Sequence, residues 1–319
     1  DEVQSAPGWE RWVRRLCDTE DVSVFVTGSS SRLLTRDLSS ALRGRSVTFE
    51  VFPLSFREFL AFRGLAPEAW DARGESRARA AFADYLRLGG FPETVLADAA
   101  LRPLILEEYA GLMLQRDLLE RSGARNDVLL RTLLRHFFRN TATLLSVSKL
   151  ARDFHSMGLT FGRNTLFDYV ALLEDAGLVF LLPTHDDSVL KQARNPKKVH
   201  VVDTGLVAAF KAGADRDLGH RLETAVFLEC RRRSREWHYL GGSGEVDLCD
   251  ADGRLFLGVC WDLSETTTME RERAAMDAGA RLLPKATGRL LYHEYSPAAL
   301  ARFPEARPAW RWMLERPAG

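Results

Sequence analysis

The turn Thr27-Gly28-Ser29-Ser30-Ser31 has residue types suited to a phosphate: small hydroxyls and one glycine that let a ligand come close to the backbone. It follows Val24-Phe25-Val26, an apolar run too short for a helix, whose β-branched and aromatic residues predict a buried strand. In open α/β sheets ligands sit beyond the carboxyl ends of parallel strands, which makes this turn a phosphate neighbourhood. A plain strand-to-helix turn with an N-cap serine is the alternative reading. The following helix carries Leu33, Leu34, Leu38 and Leu42 on roughly one face and closes at Arg43-Gly44-Arg45. A second apolar strand, Val47 to Phe52, leads through Pro53 into the amphipathic segment Ser55 to Phe62. The seven histidines show no HxxxH or HExxH spacing and there is no GxSxG, which argues against zinc and serine hydrolase chemistry.

Those elements belong to a chain of 319 residues, long enough for two or three domains. It is 46% hydrophobic and 28% charged, with 44 basic residues matching 44 acidic ones, so no global field recruits nucleic acid or anionic lipid. Cys17, Cys230, Cys249 and Cys260 form no CxxC and read as reduced thiols, with Cys17 expected in the core. No apolar run approaches the roughly 20 residues of a membrane helix, and no signal peptide is visible. A cytoplasmic protein with no membrane partner is the expectation.

Asp1-Glu2-Val3-Gln4 is followed by Pro7-Gly8-Trp9-Glu10 and an amphipathic helix through Trp12, Val13 and Leu16. The order DEVQ, PGWE, a strand ending TGSSS, LRGR and PLSFREF resembles a family of bacterial and archaeal AAA+-type P-loop ATPases with an uncharacterised C-terminal domain. The likeness covers residues 1 to about 63. It implies that the acidic pair ends the Walker B strand, Asp1 holding Mg²⁺ and Glu2 polarising the attacking water. It also implies that Ser29 is the sensor orienting that water, with Gly28, Ser30 and Arg43 beside the nucleotide. Arg43 or Arg45 would serve as a trans arginine finger; surface charges offsetting a helix dipole are the competing reading. No GxxxxGK[ST] occurs in the sequence. The expectation is therefore the C-terminal part of a longer protein, inactive as an ATPase by itself. ATP and Mg²⁺ would bind tightly only to the intact protein, and an unfinished parallel sheet would be left with an open edge.

Beyond Arg63 the chain reads as helical: Ala66 to Leu88 with Pro67 near its start, a break at Gly89-Gly90-Phe91-Pro92-Glu93, then Leu101 to Leu119 and Asp127 to Phe138. In the resembled family the GGFP turn belongs to the helical lid. Glu107, Glu108, Arg116 and Asp117 are expected on a solvated or salt-bridged face. Residues 141–182 read as a winged helix-turn-helix. Ser146 or Ser148 caps a helix with Leu150 and Phe154 inward, a turn follows at Gly158, and Asn164 to Ala176 turns Leu166, Tyr169, Val170 and Leu173 inward. Arg152, Arg163, Asn164 and Thr165 are the candidate DNA contacts. Asp168, Glu174 and Asp175 oppose phosphate, so duplex DNA enters as a weak partner and packing within the chain as the alternative.

Asn195-Pro196-Lys197-Lys198 and the strand VHVVD with its Thr204-Gly205 turn match the same family and open the last domain. A helix with Glu223, a strand with Asp247 and a further strand Leu255 to Trp261 follow the order of the PD-(D/E)xK nuclease core, in which two carboxylates and a lysine hold Mg²⁺. The third place fails, since Gly258 and Cys260 stand where a carboxylate and a lysine are needed. A nuclease-like fold without nuclease chemistry is expected. Asp262 to Arg273, including Glu272, reads as the charged face of a helix, and Arg289 to Tyr292 as a last strand.

The fold class expected is α/β. Residues 1–63 are the C-terminal half of a AAA+ ATPase core and 64–124 a helical lid. Residues 125–190 are a winged helix, and 191–319 a degenerate, restriction-endonuclease-like mixed α/β domain. The function expected is the C-terminal fragment of an ATP-binding protein that couples nucleotide to its C-terminal modules, with oligomerisation through the ATPase domain and a protein partner as candidates. The alternative is a non-catalytic DNA- or protein-binding module.

Overall fold

The computed structural model describes residues 3, 6–28, 45–65, 72–113, 126–186, 188–210, 217–233, 236–242 and 244–315, with backbone alone at 72, 163 and 298. Helix α1 (Trp9–Thr19) starts after Gly8, whose φ of 73° suits glycine, and buries only Trp9 and Val13, against Val3, Val24 and Val26. This patch is too small to cover the whole apolar stripe. Cys17 is exposed, against the expectation that it lies in the core, and Trp12 is exposed as well. The strands expected at Val24–Val26 and Val47–Phe52 are not formed: both stretches have no regular secondary structure and sit in no sheet. A strand needs a ladder of hydrogen bonds to a neighbour, and neither stretch belongs to either sheet; beside the first, the Thr27 carbonyl accepts from Val3 N at 3.1 Å. Phe25, Val47, Phe49 and Val51 are consequently 90%, 80%, 82% and 93% exposed.

The packed body begins at Ser55. Its hydroxyl accepts from Glu58 N while Glu58 accepts from Ser55 N at 2.7 Å, a reciprocal capping box that starts α2 (Phe56–Phe62). Then come α3 (Ala72–Leu88), α4 (Pro92–Leu96) and α5 (Arg102–Met113). Glu107 and Glu108 lie on the exposed face of α5, while Arg116 and Asp117 fall outside the described residues.

Helix α6 (Asp127–Arg139) is capped by the Asn126 side chain and buries Leu129, Leu130, Leu133, Leu134, Phe137 and Phe138, one apolar stripe at helical spacing. It leads to β1 (Thr143–Leu145), α7 (Val147–Ser156) capped by Ser146, and α8 (Arg163–Asp175). Leu166, Tyr169, Val170 and Leu173 of α8 are buried as the periodicity predicts. Next are β2 (Val179–Leu182), α9 (Val189–Arg194) and β3 (Lys197–Val201). The three strands form an antiparallel sheet in the order β1-β3-β2.

After α10 (Thr204–Phe210) comes α11 (Leu218–Arg233), then β4 (Trp237–Leu240), β5 (Val246–Asp250), β6 (Leu255–Asp262), α12 (Thr266–Leu282), β7 (Thr287–Glu294), α13 (Pro297–Arg302), β8 (Arg307–Pro308) and α14 (Ala309–Leu314). The second sheet runs β4-β5-β6-β7-β8, antiparallel up to β6 and parallel from β6 to β8. On one side α11 packs Leu222, Ala225 and Val226 with Leu248, Leu257 and Leu291. On the other α12 packs Met269 and Met276 with Phe256, Cys260 and Leu290. Phe56, Phe59, Phe82 and Tyr85 belong to the first of these cores, together with Trp310 and Leu314, so α2 and α3 close over the C-terminal sheet. No helix among the described residues is long and apolar enough to cross a membrane.

Candidate functional site

Of the residues assigned to nucleotide chemistry, Asp1, Glu2, Ser29, Ser30 and Arg43 lie outside the described residues. The Val3–Thr27 hydrogen bond places Val3 beside the stretch ending at half-buried Gly28. Arg45 forms an exposed ion pair with Asp18 at 2.9 Å and would have to leave it to reach a phosphate. The sequence holds no GxxxxGK[ST], so these residues do not by themselves supply a backbone cradle and lysine for a nucleotide.

Glu223 on α11 and Asp247 on β5 do come together, and what joins them is Lys198. This lysine is only 2% exposed at the centre of the three-stranded sheet. Its Nζ lies 2.6 Å from Glu245 Oε1, 3.0 Å from Glu223 Oε1 and 3.2 Å from Asp247 Oδ1. The other Asp247 oxygen accepts from Val259 N at 2.8 Å, which fixes the carboxylate across β5 and β6. Burial works against the ammonium charge, but the carboxylates of Glu223, Asp247 and Glu245 more than offset it and raise the Lys198 pKa. Burial, with Asp247 adding to it, pushes the Glu223 carboxyl well above its usual range, against the pull of Lys198. His200 stacks on Phe227 at 4.2 Å, and burial, with Lys198 adding to it, keeps it neutral; its Nε2 lies 3.9 Å from Glu223 Oε1.

The gap at Gly258 and Cys260 is approached by a carboxylate from another element. A side chain begun at Gly258 would meet Glu272 Oε2 of α12 at 3.9 Å. Glu272 is therefore not on the charged face: it is buried, held by Arg271 at 2.7 Å, because the sheet side of α12 covers it. Cys260 is buried and its thiol is pushed up to about 12 by burial, so it is no nucleophile at neutral pH. Among the described residues no group of three or more His, Cys, Asp and Glu is placed to hold a metal ion. The donor set explains this, since the point where the three acids converge is filled by an ammonium. The carboxylates thus do not fit the Mg²⁺ that the nuclease likeness implies. Lys198, Glu245 and Glu272 carry this arrangement without having been assigned a site role from the sequence.

A second constellation joins three motifs. Asp203 is buried; its Oδ2 accepts from Gly90 N at 2.6 Å and its Oδ1 from Gly205 N at 2.7 Å. Gly90 O in turn accepts from Leu54 N at 2.7 Å, and Tyr85 donates its hydroxyl to Leu54 O at 3.1 Å. Arg232 donates to Pro53 O at 2.6 Å. The stretches PLSF, GGFP and VDTG therefore meet at one point. A Cβ at Gly90 would strike Leu54 O, and one at Gly205 would strike Leu88 O, which is why glycine occupies both. Burial pushes the Asp203 carboxyl up to about 7, against the backbone N–H groups of Gly90, Gly205 and Leu206 and the Arg232 charge, which lower it.

Of the candidate DNA contacts, Arg152 and Asn164 are exposed and Thr165 half-buried; the Arg163 side chain lies outside the described residues. Asp153 and Asp168 are exposed on the same two helices.

Residues 1–60 match a family model described as an AAA domain, and residues 79–217 match a domain of unknown function (DUF8612). The chain is 30% identical over 333 residues to "Uncharacterized protein MJ1544" of Methanocaldococcus jannaschii, covering 98% of this chain and 74% of that protein. It is 29% identical over 279 residues to an "Uncharacterized protein" of Haemophilus influenzae, with 84% of this chain and 66% of that protein covered. The chain thus spans about two thirds to three quarters of these relatives. No solved structure matches it.

Proposed function

We propose, on the premise that this chain belongs to the same family as the archaeal protein MJ1544, that it is the coupling and C-terminal part of an AAA-type ATP-binding protein. Nucleotide binding in the whole protein would move the AAA domain, and the movement would pass to the C-terminal modules. The carrying observation is the junction of Leu54, Gly90 and Asp203, in which Leu54, among the last residues of the AAA match, meets Gly90 and Asp203 beyond it. Any displacement of the Pro53–Leu54 backbone pulls directly on the GGFP turn and, through Asp203, on the end of β3. ATP and Mg²⁺ are assigned to the whole protein, with Asp1, Glu2 and Ser29 in the roles that the AAA resemblance implies.

In this reading the winged-helix unit expected at 125–190 extends through β3 to 201, and the nuclease-like domain expected at 191–319 is built from 218 onward, with its metal position occupied by Lys198. The helix order and the β1-β3-β2 sheet support the first, the mixed five-stranded sheet the second. The test is hydrogen exchange on the full-length protein with and without ATP·Mg²⁺. Nucleotide should change protection at residues 85–90 and 199–206, and Glu2→Gln should trap the nucleotide-bound pattern. Nucleotide that binds yet leaves both stretches unchanged would sink the coupling. The second reading, a non-catalytic binding module, is favoured by the ammonium at the acid cluster. It requires a duplex DNA affinity that falls steeply with salt; no binding at low salt removes its DNA form.

A further inference from the structure

We propose that the cavity at the carboxyl end of β7 binds a nucleoside monophosphate, a planar ring bearing one phosphate. The cavity has a volume of about 610 Å³ between α3, the end of β7 and the segment through β8 and α14. That falls within the roughly 300–1,000 Å³ of small-molecule sites. Strands β7 and β8 run parallel, and the cavity is lined by β8 and by Tyr292 and His293 at the carboxyl end of β7, the end at which open α/β sheets take their ligands.

Its chemistry is specific. Arg79, Arg307 and Arg311 line it. Arg311 is paired with Glu75 at 3.6 Å, and the lining Glu315 is paired with Arg289 at 3.7 Å. Arg79 and Arg307 have no carboxylate partner among the described residues, so two guanidinium groups remain for phosphate oxygens. Tyr292 and Tyr295 also line the cavity with ring centroids 5.1 Å apart, and Tyr295 is 42% exposed, open for a ring to stack on. His293 is 7% exposed and stacks on Trp261 at 4.1 Å, yet its Nδ1 has no hydrogen-bond partner among the described residues. A buried ring nitrogen without a partner is costly unless a ligand or water satisfies it. Burial, with Arg79 adding to it, pushes His293 down to about 4, so it faces the cavity as a neutral hydrogen-bonding group.

The probe is AMP, titrated calorimetrically into this chain beside adenosine and inorganic phosphate. One AMP should bind per chain at least about tenfold more tightly than either fragment. Arg307→Ala and Tyr295→Ala, both at exposed positions, should each weaken AMP by about tenfold at an unchanged melting temperature. Absence of AMP binding would overturn the proposal, as would equal affinity for AMP and phosphate. AMP binding untouched by either substitution would place the nucleotide elsewhere and overturn it too. None of these outcomes depends on residues 1–60, so the coupling reading stands or falls separately.

Discussion

The carboxylate of Asp203 accepts the backbone N–H of Gly90 at 2.6 Å, across 113 positions of sequence. Truncating this side chain leaves two buried backbone donors, at Gly90 and Gly205, without their acceptor. Asp203→Ala is expected to cost roughly 2–4 kcal/mol, read as a lower urea midpoint. A loss below about 0.5 kcal/mol would mean that the junction is not held by this carboxylate.

The same group should give the protein a pH signature. Its folded pKa of about 7 lies above the usual 3.8, so between those values the folded chain binds the extra proton. This contribution to stability is full below about pH 4 and is lost as pH rises through about 7. Unfolding curves across that window should flatten in Asp203→Asn relative to the parent. An equal slope in both proteins would refute the assignment.

Glycines give an internal contrast. At Gly90 and Gly205 an added Cβ meets backbone oxygen, so alanine should destabilise by about 1–3 kcal/mol at each. Gly111, in α5, meets nothing within 4 Å, and Gly111→Ala should stabilise by about 0.5–1 kcal/mol. Thermal melting of the three variants decides it: a shared sign would show that chain entropy, not space, governs these positions.

Removing Lys198 uncovers three acids. Lys198→Met is expected to destabilise by about 3–5 kcal/mol, with part of the loss recovered when Glu223→Gln is added. A double-mutant cycle measures the coupling, and strict additivity would argue that the ammonium is not held by Glu223. With this lysine present, neither Mg²⁺ nor Mn²⁺ should support plasmid cleavage. Cleavage that disappears in Asp247→Ala would restore nuclease chemistry to the site.

The thiols should separate cleanly. Cys17 is exposed while Cys230, Cys249 and Cys260 are buried, so the native chain should react with a thiol reagent at one cysteine, and at all four once unfolded. Fast labelling at Cys260 would mean that the sheet opens there.

Much of the architecture was legible from periodicity, because helices such as α6 and α8 bury one stripe against one neighbour. The pairing of Glu223 with Asp247 was legible too, since the order of helix and strand places both near one sheet end. Lys198 was not. Its burial is decided by three acids arriving from a helix, a loop and another strand, which no local pattern records. Glu272 was hidden for a similar reason: charged neighbours on either side of it made its one inward register look like more of the same surface. The strand expectation at Val24–Val26 and Val47–Phe52 failed because composition announces a willingness to pair but not a partner.

The interlock of Leu54, Gly90 and Asp203 also bears on how the chain reaches its fold. Its parts are far apart along the sequence, and the apolar face of α2 is covered by residues as distant as Trp310. During synthesis at about 5–20 residues per second, Phe56, Phe59 and Phe82 would wait more than ten seconds for that cover to emerge. The helical stretch 126–201, closed by contacts nearer in sequence, can settle first and serve as the platform on which both ends later converge.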